Sequence, residues 1–143
     1  MRWVAVVLLI PLAACVGPAW SYGSYEGKAG ATANDMLSAV ASARLTVEVA
    51  VRGNAFGPDV TVGLTEAEKD AGAIQGTFDS IQPPDARSDQ LRGQLDSLMS
   101  SAVSALAALR IAAHRNQISE LGRLLKPLSG LADKLDAFGR AHA

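Results

Sequence analysis

From Leu91 to Ala112 the apolar residues Leu91, Leu95, Leu98, Ala102, Ala105, Leu109 and Ala112 recur at spacings of three and four. That period lines one face of an α-helix and is incompatible with the two-residue alternation of a half-buried strand. Val103, Leu106 and Ile111 flank the seam and widen it beyond a narrow coiled-coil stripe. A helix with so broad an apolar face must bury it against other elements of the same kind. The rest of the chain therefore has to supply partner helices.

Three further segments do so. In the first, Met36, Val40, Ala43, Val47 and Ala50 form one face, with Thr32 or Asn34 able to cap the start and Arg52 near the end. Thr46 to Val51 also alternates like a strand, but no partner strand appears elsewhere, so helix is the consistent choice. In the second, Val60, Leu64, Ala67, Ala71, Ile74, Phe78 and Ile81 keep the phase. Pro58 suits a first turn, while Thr65-Glu66-Ala67-Glu68 offers a competing capping box. Gln82-Pro83-Pro84 ends that segment, and Asp85 can cap the Leu91 helix.

Asn116 is suited to the left-handed conformation that closes the Leu91 helix. The last helix then carries Ile118, Leu121, Leu125, Leu128, Ala132 and Leu135, its apolar phase continuing across Pro127. A proline there removes one intrahelical bond and crowds the preceding turn, which predicts a kink and not a break. Four amphipathic segments on short turns predict an all-α, up-down-up-down four-helix bundle over residues 34–143, its last helix kinked at Pro127. About 110 residues can bury roughly two-thirds of their unfolded surface and fold without staples.

The N-terminus has a different character. Arg2 precedes an apolar run from Trp3 to Leu12, followed by the small residues Ala13 and Ala14. This is the charge, apolar core and cleavage-site order of a secretory signal over residues 1–14, and the run is shorter than the roughly 20 residues a membrane span needs. Leu12-Ala13-Ala14-Cys15 resembles the lipobox of bacterial lipoproteins, and the alanine-rich chain as a whole is similar in style to small lipoproteins of actinobacteria. The resemblance implies diacylglycerol on the Cys15 thiol, cleavage after Ala14 and a protein held on the extracytoplasmic face of the cell membrane. Dual acylation is what makes such anchoring stable. The alternative is an ordinary signal cleaved near Ala19. Cys15 is the sole cysteine, so no intramolecular disulfide can form, and lipidation accounts for a thiol otherwise left over in an exported chain.

Residues 15–33 are rich in Gly, Ser, Tyr and Ala and show no apolar period, which predicts a flexible tether carrying the lipidated cysteine. Trp20, Tyr22 and Tyr25 within it are candidates for the headgroup level of a bilayer.

Charge and chemistry exclude more than they assign. A formal net charge of −1 lacks the footprint of a nucleic-acid binder. Asp59 to Asp96 is mostly acidic and Arg110 to Arg140 mostly basic, which fits complementary solvated faces. The sharper alternative is a patch of Arg110, Arg115, Arg123 and Lys126 facing anionic headgroups or a polyanionic envelope polymer. The two histidines, His114 and His142, stand in no triad pattern, and the ligand spacings of zinc, di-iron or attached haem are missing. No catalytic or metal-ligating residue is assigned, and no cofactor is expected. Glu66, Glu68 and Asp70 surround Lys69 and read as a solvated acidic turn. Met36 and His142 would fall at one end of the bundle, as the ligands of some haem-binding bundles do, although a core methionine and a frayed tail explain them more simply. Three functions remain open. The preferred one is a lipid-anchored helical module acting by protein or envelope contacts; the others are a small-ligand or haem carrier and an envelope enzyme.

Overall fold

The structure is a computed structural model that describes residues 18–143 apart from Phe56. Four helices follow one another: α1 (Tyr22–Val51), α2 (Gly57–Asp79), α3 (Ala86–His114) and α4 (Ile118–Ala141). Among the described residues there is no strand, and Thr46 to Val51 is helical. Each helix packs against its neighbours in sequence, α4 closes against α1, and α1 also meets α3 across the centre while α2 and α4 do not touch. This is the expected up-down-up-down bundle. The central approach of α1 and α3 follows from short side chains: Ala29, Ala33 and Ala43 on one and Ala102, Ala112 and Ala113 on the other are buried.

The first helix starts earlier than its sequence suggests. Ser21 is the N-cap, its hydroxyl accepting from the Ser24 amide at 3.3 Å. Residues 22–33 are thus the first turns of α1 and not a tether. Tyr25, Ala29, Ala33 and Met36 have no exposed surface, so the buried seam runs unbroken through the Gly-rich segment. The glycines hide the period because they carry no side chain to show it. One of them is required: the backbone carbonyl of His142 occupies the position that a Cβ on Gly30 would take. Hydroxyls along α1 are satisfied within the helix. Thr32, Ser38, Ser42 and Thr46 each donate to the carbonyl four residues back at 2.9 to 3.0 Å.

Helix α2 runs continuously from Gly57, so the capping box at Thr65 does not form; Thr65 donates to the Thr61 carbonyl instead. The helix stops at Asp79, three residues before Gln82, and Ile81 is buried from outside it. Asp85 caps α3 as expected, accepting from the Ser88 amide at 2.8 Å. The turns use left-handed residues, Gly53 at φ 75° and Asn116 at φ 55°.

Two seams shift in detail. On α3, Met99 and Leu106 are fully buried, whereas Leu98 and Ala105 are only partly covered beside the core. On α4, Leu121, Leu128 and Leu135 are buried, but Ile118 is 41% exposed and Leu125 only partly covered. The α3 seam keeps its phase, since Leu91, Leu95, Ala102, Leu109 and Ala112 are buried, but its centre passes through Met99 and Leu106, and Leu98 and Ala105 lie at its edge. Helix α4 continues through Pro127 without interruption.

Candidate functional site

Cys15, with the rest of the lipobox, lies outside the described residues. The end of the bundle nearest to it in sequence is where α1 begins, α2 ends, α3 begins and α4 ends. A polar cluster joins three of those helices. Tyr22 donates its hydroxyl to Glu26 Oε1 at 2.9 Å, and His142 Nδ1 lies 2.9 Å from the same oxygen. These bonds, His142 first and Tyr22 second, hold the Glu26 carboxyl below its ordinary value. The Arg87 guanidinium of α3 stacks 3.6 Å from the Tyr22 ring centroid. Phe138 backs the imidazole, with ring centroids 4.5 Å apart.

Chemically this cluster fastens the end of the chain to the first turns of α1. Among the described residues the hydrogen-bond partner of the His142 imidazole is the Glu26 carboxylate. Glu26 and Arg87 have no place in the sequence analysis, and Tyr22 figures there only as a headgroup aromatic. The signal was the four-residue spacing of Tyr22 and Glu26, which is visible only once residues 22–26 are read as helix.

Deeper in the same end, Tyr25 packs on Phe78 with centroids 5.5 Å apart, and burial raises its phenol above the ordinary value. Tyr25 Oη, Ser88 Oγ and Asp96 Oδ1 are buried without a hydrogen-bonding protein partner. Burial first, and the neighbouring Asp79 second, raise the Asp96 carboxyl. Of the candidate headgroup aromatics, then, Tyr25 is core and Tyr22 is half-buried under Arg87. Trp20 alone is open, at 85% exposure.

The structure does not bring Met36 and His142 together. Met36 is a fully buried core residue of α1. His142 rests against Glu26 and Gly30, and six residues of helix between Gly30 and Met36 separate the two levels by about 9 Å. The carboxylates of α2 diverge as well. Glu68 reaches Arg110 on α3, Glu66 pairs with Lys69 at 3.6 Å, and Glu66 and Asp70 line a shallow groove toward Asp35 of α1. Among the described residues no group of three or more His, Cys, Asp or Glu is gathered to hold a metal.

The four cations of the suspected basic patch are divided. Arg110 is drawn to Glu68 across the α2–α3 interface, which is the complementary-face arrangement, whereas Arg123 pairs with Glu120 within α4. Arg115 and Lys126 carry no ion pair among the described residues and lie on the half of the bundle away from Tyr22. Comparison of the chain with protein-family models, with curated proteins and with solved structures finds no match in any of the three.

Proposed function

We propose that the chain is a lipid-anchored helical module on the extracytoplasmic face of the cell membrane. It is held there by diacylglycerol on Cys15 and acts by contact with an envelope protein or polyanionic polymer, not by catalysis. The observation that carries this reading is the lipobox Leu12-Ala13-Ala14-Cys15, placed so that only residues 16–21 separate it from a stable helix. Six residues extend at most about 21 Å, so the Tyr22 end of the bundle faces the bilayer. Trp20, open and beside that end, stands at headgroup level, where indole rings are favoured. Arg115 and Lys126 then point away from the membrane, toward the envelope partner.

Cys15→Ser tests the anchor. The variant should fold, fail to incorporate a labelled fatty acid and escape the lipoprotein signal peptidase, whereas the unaltered protein should label and stay with the membrane fraction. Unaltered protein that is released without lipid at Cys15 overturns the reading.

A further inference from the structure

Helices α3 and α4 are neighbours, yet theirs is the least intimate of the four adjacent pairings. The cause is local. Ser97, Ser101 and Ala105 on α3 face Pro127 and Gly130 on α4, and none of these side chains is long enough to fill the space between two helices. A groove of about 530 Å³ results, floored by the half-buried Leu98 and Leu131. That volume falls within the range of small-molecule sites. From Ser97 to Ala105 the groove is about 12 Å long at the helical rise per residue. A partner helix needs a longer seat than this, and a stable protein interface buries about 800 Å² on each side.

Two further observations say what fits. Lys134 is the one charged residue lining the groove, and it makes no ion pair among the described residues. Along α3, no charged residue occurs from Ser97 to Leu109. By length and composition α3 is apolar enough to cross a membrane, but only 33% of its most apolar window is buried in the bundle. The core therefore leaves much of this uncharged surface uncovered, and part of it lies along the groove. A trough floored by leucines, with serine hydroxyls on one wall and a single unpaired ammonium at one end, complements a single hydrocarbon chain with an anionic head.

We propose that the α3–α4 groove binds one free fatty acid, its carboxylate at Lys134 and its hydrocarbon over Leu131, Leu98 and Ala105. The head then lies on the half of the bundle nearer Tyr22, and the chain runs toward Pro127. Recognition needs no rearrangement of the core, because the groove is formed by side chains that are already short.

The test uses the full chain held in nanodiscs of zwitterionic phospholipid, exposed to a photoreactive dodecanoic acid and mapped by peptide after irradiation. Label should concentrate on the peptides carrying Leu98 to Ala105 and Pro127 to Lys134. The same hydrocarbon with a trimethylammonium head should label them weakly. Lys134→Glu should lower the labelling about tenfold, the scale of losing one charge-assisted contact. Gly130→Leu fills the groove at a position where a Cβ meets nothing within 4 Å, so it should fold normally by circular dichroism and abolish the label. Gly93→Leu, equally unobstructed and outside the groove, should leave it intact. Label that is spread along the chain, indifferent to head charge or unchanged in Gly130→Leu overturns the proposal. So does a crosslinked second copy in place of the fatty acid.

Discussion

The backbone carbonyl of His142 rests on the bare Cα of Gly30, so the residues that follow α4 lie in direct contact with the third turn of α1. Any side chain on Gly30 must push that contact apart. Alanine is the better helix former by about 1 kcal/mol, yet Gly30→Ala should lower the melting temperature, because the obstructing atoms are backbone. Gly27→Ala, where nothing lies within 4 Å, should raise it. Removing His142 and Ala143 should convert Gly30→Ala from harmful to helpful; thermal melts of the four variants measure the coupling.

The α3 seam makes a second prediction. Met99 is fully buried and Leu98 only partly so. Met99→Ala should cost about 2 to 5 kcal/mol and Leu98→Ala distinctly less, as read from denaturant midpoints. The opposite ranking would mean that α3 is rotated by one position. Leu109 and Leu121, both fully buried near the Asn116 turn, should show coupling in a double-mutant cycle.

These cases show what the sequence makes legible. Four helices, their order, the Asp85 cap and the Asn116 turn follow from apolar spacing and side chains that announce themselves. The start of α1 does not, because Gly23, Gly27 and Gly30 suppress helix propensity and the intervening Tyr25, Ala29 and Ala33 look too small and mixed to be a core. Their burial is decided by distant partners, Phe78 of α2 against Tyr25 and His142 beyond α4 against Gly30. The polar cluster at that end was illegible for the same reason: Glu26 and His142 are 116 residues apart. The α3–α4 groove is made by what side chains lack, and absence leaves little trace in a hydrophobic pattern.

Tyr25 supplies a third prediction. Its hydroxyl is buried with no hydrogen-bonding protein partner, and a buried polar group left unsatisfied costs about 1 to 3 kcal/mol. Tyr25→Phe keeps the ring against Phe78 and removes the oxygen, so it should raise stability by about 1 kcal/mol or more in chemical denaturation. A loss of stability would show that the oxygen is hydrogen-bonded in solution.

A fourth concerns pH. The Ser88 amide holds the Asp85 carboxyl below its ordinary value, so the ionised form favours the fold. That contribution is complete above the unfolded value of about 3.9 and disappears as pH falls through the lower folded value. Asp85→Ala should therefore be less stable than the unaltered chain at pH 7 and converge with it in strong acid. Asp85→Asn, which keeps an acceptor for the amide, should lose less at pH 7. Parallel melts across pH 2 to 7 would show a constant gap if the cap were not responsible.

The pairing of α1 with α4 also bears on how the protein folds. Glu26 and His142 are 116 residues apart, and the helix that covers the most of α1 is the one farthest from it along the described residues. Loop-closure entropy is lost before so distant a contact is made. Hairpins of adjacent helices can form locally, whereas the ring of four closes only once its two farthest members meet.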